Sequence, residues 1–221
     1  MSREASLLIL EGLTPYGEAH AMQLDRVNRR KVGAIGDTLI LLQHSPVFTL
    51  GRNADAAGVL AGDEELAREG IRVHRIERGG QATYHGPGQI VGYPIFDLHG
   101  LRIGVAEYVR RLEQVMIDAA AALGIEAGRR EGITGVFVDG AAGGKIGAVG
   151  VRVTRGITYH GFAFNADPDL THYRLIVPCG MTDTPVTSAA RVLGEPVDTT
   201  AAFDAISGAF ESAFGLELTR R

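Results

Sequence analysis

The sequence has a single cysteine, no tryptophan and no strong excess of either charge. One cysteine, Cys179, excludes an internal disulfide and therefore a secreted fold held by such bonds. No apolar run approaches the roughly 18 residues of a spanning helix, and the N-terminal MSREASLLIL, with Glu4, is unlike a secretory signal. The net charge of −4 opposes binding to nucleic acid or anionic membranes, which need a basic excess. We expect a cytoplasmic enzyme or binding protein.

The rest of the composition is that of a globular protein. Of 221 residues, 45% are apolar and 22% are charged, which is close to the average for globular proteins. No repeat, low-complexity tract or linker divides the chain, so a single domain over residues 1–221 is expected. The 30 glycines are about twice the usual share, which predicts many tight turns and close backbone approaches.

Apolar periodicity predicts neighbouring strands with helices between the groups. The clearest helix covers Val105 to Leu123, where apolar residues recur at steps of three or four before Gly124. A hairpin is predicted from Lys145 to Asn165, with its turn at Arg155-Gly156. This grouping favours an α+β fold of two layers with a mixed or antiparallel sheet. The other predicted elements are strands at Ala5 to Leu10, Asp37 to Gln43, Val47 to Leu50, Ile71 to Ile76 and Gly135 to Val138, and helices from Pro15 onwards, at Asp63 to Glu69 and at Thr200 to Phe214.

Three stretches contain residues that could carry chemistry. The densest is RGGQATYHGPGQIVGYP at 78–94, which is either a ligand-binding loop or an ordinary hairpin connection. Neither a dinucleotide-binding nor a P-loop glycine pattern occurs in it. The second places Lys145 among three glycines, where it is either accessible to a ligand or a solvated hairpin lysine. The third places Cys179 between Pro178 and Gly180, as a presented thiol or a small buried hydrophobe.

The histidines are weaker signals. His85 lies in the glycine-rich stretch and His160 begins HGFAFN. Each is either a general base for a cysteine nucleophile or a histidine with a structural hydrogen bond. No pair has the H-E-x-x-H spacing and one cysteine cannot build a C-x-x-C site, so no metal is predicted.

Taken together, the motifs resemble those of the lipoyl(octanoyl) transferase family, which belongs to the superfamily of biotin and lipoate ligases. The resemblance is carried, in order, by the 78–94 stretch, by GGKIGAVGVRV at 143–153, by HGFAFN at 160–165 and by PCG at 178–180. It extends from about Thr14 to Phe214. The resemblance implies a single α/β domain with a mixed, largely antiparallel sheet.

The resemblance also implies an activity, namely transfer of octanoyl from acyl carrier protein to a lysine of lipoyl domains, as the first step of endogenous protein lipoylation. The acceptors implied are the lipoyl domains of 2-oxoacid dehydrogenase complexes and the glycine cleavage H protein, and no cofactor is implied. By matching motifs, Cys179 and Lys145 are the expected catalytic dyad. The expected acyl-binding residues are Arg78, Gly79, Gly80, Gln81, Ala82, Thr83, Tyr84, His85, Ala148, Val149, Gly150, Gly161, Phe162 and Ala163.

A cysteine–lysine pair suits acyl transfer between a thioester and an amine. A thiol exchanges readily with a thioester, but only the thiolate is nucleophilic. A cation about 4 Å away stabilises the thiolate by up to ~4 kcal/mol at an effective dielectric of about 20. The two groups therefore titrate as a coupled pair.

Three other functions remain open on the sequence. An ATP-dependent lipoate or biotin ligase shares the architecture but needs no thiol. A non-catalytic lipoyl-domain binder and a cysteine hydrolase using His85 or His160 are the others.

For docking acidic partners, the candidates for a basic patch are Arg75, Arg78, Arg129, Arg130, Arg152 and Arg155.

Overall fold

The structure is a computed structural model that describes residues 3–54, 58–177 and 185–221. Cys179, the expected nucleophile, lies outside the described residues. The strands are β1 (Arg3–Thr14), β2 (Thr38–His44), β3 (Val47–Leu50), β4 (Arg72–Arg75), β5 (Ala82–His85), β6 (Gln89–Ile95), β7 (Gly128–Arg130), β8 (Ile133–Val138), β9 (Gly144–Thr154), β10 (Ile157–Asn165) and β11 (Leu216–Arg220). The helices are α1 (Tyr16–Lys31), α2 (Asp63–Arg68), α3 (Leu98–Leu101), α4 (Val105–Ala122), α5 (Ala189–Leu193) and α6 (Thr199–Phe214), with a 3₁₀ helix at Leu170–Leu175.

Eight strands form one mixed sheet in the order β11-β1-β2-β6-β10-β9-β8-β7. Strand β1 pairs in parallel with both β11 and β2, and the other neighbouring pairs are antiparallel. The central strand β10 is buried along its whole length, because helices cover both faces of the sheet. The predicted α+β fold with a mixed, largely antiparallel sheet is confirmed.

The two faces of the large sheet carry different helices. Helices α4 and α6 pack on one face, where α4 buries Tyr108, Leu112, Val115 and Met116 at the spacing of an amphipathic helix. Helix α1 covers the other face, where Ala19 contacts the cluster of β2, β6 and β10 side chains. The site described below lies on the α1 side of the sheet.

A second, three-stranded sheet has the order β4-β3-β5. Its apolar side chains form a separate cluster that contains Phe48, Leu50, Ala82 and Tyr84. Strand β5 enters this sheet and β6 enters the large one, so the glycine-rich segment joins the two sheets.

Most predicted elements are present, within a few residues of their expected ends. The helix expected from Val105 ends at Ala122, and the last helix ends at Phe214 and is capped by Gly215, whose φ is 61°. The predicted hairpin is β9 and β10, in antiparallel pairing. The pair of strands inside residues 78–94 was not predicted, and neither were α3, β7, the 3₁₀ helix, α5 and β11. No helix in the described part of the chain is long and apolar enough to cross a membrane.

Candidate functional site

A cavity of about 60 Å³ opens between the two sheets and the start of α1. Its wall is mostly apolar, with polar groups confined to a few positions. The motifs at 78–85, 145–150 and 160–163 all contribute to it, although they are far apart in sequence. The lining residues are Tyr16, Ile76, Arg78, Gly80, Thr83, His85, Val91, Tyr93, Lys145, Ala148, Val149, Gly150, His160, Gly161, Phe162 and Ala163.

Ten of the fourteen expected acyl-binding residues line this cavity. The strand alternation of β5 explains two of the other four: Thr83 and His85 face the cavity, whereas Ala82 and Tyr84 face the second apolar cluster. Gly79 instead donates its amide to the Val151 carbonyl at 3.2 Å. Gln81 accepts from the Gly51 amide with its carbonyl, at 3.1 Å. Gly79 and Gln81 therefore hold the loop in place and do not form part of the cavity wall.

Tyr16, Ile76, Val91 and Tyr93 also line the cavity, although none of them was among the expected acyl-binding residues. Val91 and Tyr93 lie in the 78–94 motif, whereas Tyr16 and Ile76 lie outside the motifs. Tyr16 is the first residue of α1, and Val91 and Tyr93 alternate along β6. An apolar residue in a strand gives no sequence signal that distinguishes a cavity wall from a packed core. Burial raises the pKa of Tyr16 and of Tyr93, so both phenols are neutral hydrogen-bonding groups at physiological pH.

Arg78 is 7% exposed and is held by the backbone and side chain of Thr49. One terminal nitrogen donates to the Thr49 carbonyl oxygen at 2.7 Å, and the other donates to the Gly79 carbonyl oxygen at 3.0 Å. The glycine at 51 permits this arrangement, since a Cβ there would lie 2.9 Å from the guanidinium and 2.4 Å from the Gly80 carbonyl oxygen. Arg78 therefore supplies a buried positive charge to the cavity and is not part of an exposed basic patch.

Lys145 lies near the start of β9, beside the chain that follows the expected nucleophile. Its amide donates to the Pro185 carbonyl at 2.8 Å, and its carbonyl accepts from the Thr187 amide at 3.1 Å. Its Nζ donates to the Thr134 carbonyl oxygen at 3.0 Å and lies 5.6 Å from the centre of the Phe137 ring. Lys145 is thus fixed between β8 and the segment that begins at Pro185.

His85 and His160 both line the cavity, but both are poor bases. Burial is the main cause that lowers the pKa of each to about 3. His85 Nδ1 lies 2.6 Å from Gln89 Oε1 and donates to it, because the Gln89 amide nitrogen is already donating to the Asn165 side chain. His160 has a left-handed backbone with φ of 54°, and its Nε2 has no hydrogen-bond partner among the described residues. Neutral histidines of this kind hydrogen-bond a ligand more readily than they remove a proton.

One group of described residues has the composition of a metal site. His20, Glu77 and His160 place one ligand atom each within 4.8 Å of one another. Glu77 already accepts hydrogen bonds, from His20 Nε2 at 3.3 Å and from the Tyr159 hydroxyl at 3.1 Å. The charges of Arg78 and Arg152 also act on His160 and oppose a cation there. We therefore assign no metal to this group.

The structure combines a mixed sheet covered by helices with a largely apolar cavity whose wall contains a lysine and several glycines. Residues 15–211 match the family described as the lipoyl protein ligase A/B catalytic domain, and the chain belongs to this family.

Similar curated proteins carry a narrower description. The octanoyltransferase of Koribacter versatilis is 50% identical over 186 residues, which are 83% of this chain and 74% of that protein. The octanoyltransferase of Alkaliphilus metalliredigens is 40% identical over 94% of both chains. Among solved structures, a bipartite lipoate protein ligase from Thermoplasma acidophilum superimposes with a TM-score of 0.77, at 18% identity, over 99% of this chain and 87% of that one. This structural similarity to the Thermoplasma ligase supports the fold and nothing further.

Proposed function

We propose that this chain is an octanoyltransferase that moves an octanoyl group from octanoyl-acyl carrier protein to a lysine of a lipoyl domain. The supporting observation is that Lys145 and the separated glycine-rich motifs meet at one largely apolar cavity, in a chain 40–50% identical to octanoyltransferases. Residues 1–221 then act as a single catalytic domain. The acceptors are lipoyl domains of 2-oxoacid dehydrogenase complexes and the glycine cleavage H protein.

In the proposed cycle, the Cys179 thiolate attacks the donor's thioester carbonyl. A new carbon–sulfur bond forms at Cys179, the bond to the carrier's sulfur breaks, and the released carrier thiolate takes a proton from the Lys145 ammonium, which becomes a neutral amine. The acceptor lysine then attacks the acyl-enzyme as a neutral amine, its excess proton passes to Lys145, and Cys179 leaves as a thiolate. Atoms and charge balance without ATP or a metal.

Chain connectivity supports a meeting of Cys179 with Lys145. Residues 185–187 pair with Lys145 through two backbone hydrogen bonds, and Cys179 precedes Pro185 by six positions. An ammonium at contact distance stabilises the thiolate, whereas His85 and His160, with pKa values near 3, are unsuited to remove its proton. Lys145 is the better candidate for both proton steps.

Intact-protein mass spectrometry tests the acyl-enzyme. With octanoyl-acyl carrier protein alone, we expect one octanoyl adduct, which is lost when a lipoyl domain is added and appears on that domain. Cys179→Ala should abolish the adduct, and Lys145→Met should slow its formation by two orders of magnitude or more, as removal of a general base does. Near-normal transfer by Cys179→Ala contradicts the proposal.

The same experiment separates the alternatives. An ATP-dependent ligase would use free octanoate and ATP and would not respond to the loss of Cys179. A hydrolase would release octanoate with no acceptor present, and a binder would hold the lipoyl domain without forming product.

The apolar cavity wall predicts chain-length selection. Burying six methylenes contributes roughly 5 kcal/mol at ~0.8 kcal/mol each, and each missing methylene costs only ~1–3 kcal/mol. We expect hexanoyl and decanoyl donors to be used at reduced rates and a butanoyl donor to be used at least 100-fold less efficiently than octanoyl. Equal kcat/KM for butanoyl and octanoyl donors contradicts binding of the chain in this cavity.

A further inference from the structure

The peptide group between Thr134 and Gly135 joins two charged side chains. Its carbonyl oxygen accepts from Lys145 Nζ at 3.0 Å. Its N–H donates to Glu113 Oε1 at 2.9 Å. A carboxylate, one peptide and an ammonium therefore form a continuous chain from helix α4 to strand β9.

The carboxylate end of this chain is fixed. The Glu113 side chain is 8% exposed, and its Oε2 accepts from Arg129 Nε at 3.0 Å. Arg129 is held in turn by the Arg110 carbonyl at 2.8 Å and by Gln114 Oε1 at 3.0 Å. A buried carboxylate with this much support has a defined orientation, and it aims one oxygen at the 134–135 peptide.

Gly135 gives Lys145 the space to reach this peptide. Its φ is +133°, and a Cβ at this position would lie 2.6 Å from Lys145 Cε and 2.7 Å from the Gly147 carbonyl oxygen. The stem of Lys145 therefore lies directly against the Gly135 backbone.

Resting on the proposed function, we propose that Glu113 is a positioning residue that acts on Lys145 through the 134–135 peptide. Its negative charge polarises the peptide, which strengthens the Thr134 carbonyl as an acceptor because hydrogen bonds in a chain reinforce one another. The ammonium form of Lys145 is thereby held in place and stabilised without a carboxylate in direct contact with it. A direct contact would occupy the ammonium that the Cys179 thiolate requires.

The other charged and titratable groups around Lys145 make such support useful. Across the cavity are Arg78, a permanent cation, and His85 and His160, whose pKa values near 3 leave them uncharged at neutral pH. Tyr16 and Tyr93 are also on the wall and are neutral. On β7, Arg130 lies 4.8 Å from the same Phe137 ring and is paired with Asp139. Arg78 thus adds positive charge to the cavity wall, whereas the charge of Arg130 is offset by Asp139.

Because Cys179 is the only cysteine of the chain, its alkylation by iodoacetamide reports on one thiol and needs no acyl donor. We expect Glu113→Gln to raise the pH midpoint of the alkylation rate by about half a pH unit, which slows alkylation near neutral pH about threefold. If Glu113 acted on Cys179 only through its own charge, Glu113→Gln would instead lower the midpoint, because removing a negative charge favours the thiolate.

Arg129→Gln is the matched control, because it breaks the same ion pair but keeps the carboxylate. We expect its midpoint to equal or fall below that of the parent, since a less neutralised Glu113 polarises the peptide more strongly. If Arg129 acted on Cys179 only through its own charge, its removal would raise the midpoint, because a positive charge favours the thiolate. A general loosening of the site would also raise the midpoint. A midpoint raised in Arg129→Gln, or unchanged or lowered in Glu113→Gln, overturns the proposal. If Glu113→Gln does not fold, only a lowered midpoint in Arg129→Gln supports the proposal, and an unchanged or raised midpoint overturns it.

Lys145→Met separates this proposal from the proposed function. If it raises the midpoint while Glu113→Gln does not, the dyad stands and the role of Glu113 is wrong. If Lys145→Met leaves the midpoint unchanged, Lys145 does not act on Cys179 and the proposed dyad itself fails, whatever the mass experiment shows about acyl transfer.

Discussion

At the scale of single residues, glycines allow the strands around the cavity to approach closely. Gly161 on β10 lies against β6, where an added Cβ would be 2.1 Å from the Gly92 carbonyl oxygen and 2.7 Å from Pro94 Cδ. Both are backbone or ring atoms of a buried strand and cannot move aside. We expect Gly161→Ala to lower the free energy of unfolding by about 1–3 kcal/mol, the usual cost of overpacking, and to slow formation of the acyl-enzyme.

Gly208→Ala is a matched control for this prediction. Gly208 lies within α6, and an added Cβ there would meet nothing within 4 Å. The change should stabilise the protein by about 0.5–1 kcal/mol, because alanine is the better helix former. Urea unfolding of both variants measures the two effects, and a Gly161→Ala variant as stable as the parent contradicts the close packing described here.

At the scale of elements, the sequence predicted those that have an amphipathic pattern or a continuous apolar run. Helix α4 was predicted within a few residues because one stripe of apolar residues meets the core. The hairpin of β9 and β10 was predicted from partial alternation in β9 and from the Arg155-Gly156 turn, although β10 is buried at every position. Strands β5 and β6 were not predicted. Gly92 and Pro94 interrupt the apolar run of β6, and glycines lie on both sides of β5, so this stretch resembles a series of turns.

Some residues of the candidate site could likewise be predicted from the sequence, and others could not. Lys145 and ten of the expected acyl-binding residues could be located because they lie in the motifs that carry the resemblance to the transferase family. Tyr16 lies outside the motifs, and Val91 and Tyr93, although within the 78–94 motif, could not be singled out because each fits an ordinary buried strand position. Glu113 was missed for a different reason: it occupies the buried side of α4, and its partners Arg129 and Gly135 are 16 and 22 residues away in sequence.

At the scale of the whole molecule, three buried histidines link stability to pH. Burial lowers the pKa of His44 to about 4 and the pKa of His85 and of His160 to about 3, whereas an unfolded histidine titrates near ~6.5. The unfolded chain therefore binds more protons than the folded one below this pH, and the free energy of unfolding falls as the pH is lowered from about 6.5 towards 4. Each histidine should cost roughly 1–2 kcal/mol by pH 5.

We therefore expect the free energy of unfolding to be several kcal/mol lower at pH 5 than at pH 7, in urea titrations at constant ionic strength. His85→Asn keeps an amide N–H that can donate to Gln89 but cannot take up the proton, so it should lower the slope of this dependence by up to about a third. Glu77 and Asp169, whose pKa values are lowered in the folded chain, add to the loss only at more acidic pH. A stability that is constant between pH 7 and 5, or a slope unchanged in His85→Asn, would mean that these histidines reach solvent in the folded protein. The cavity would then be open to water and unsuited to an octanoyl chain. The measurement needs no substrate, and it therefore gives an independent test of how the acyl group is held.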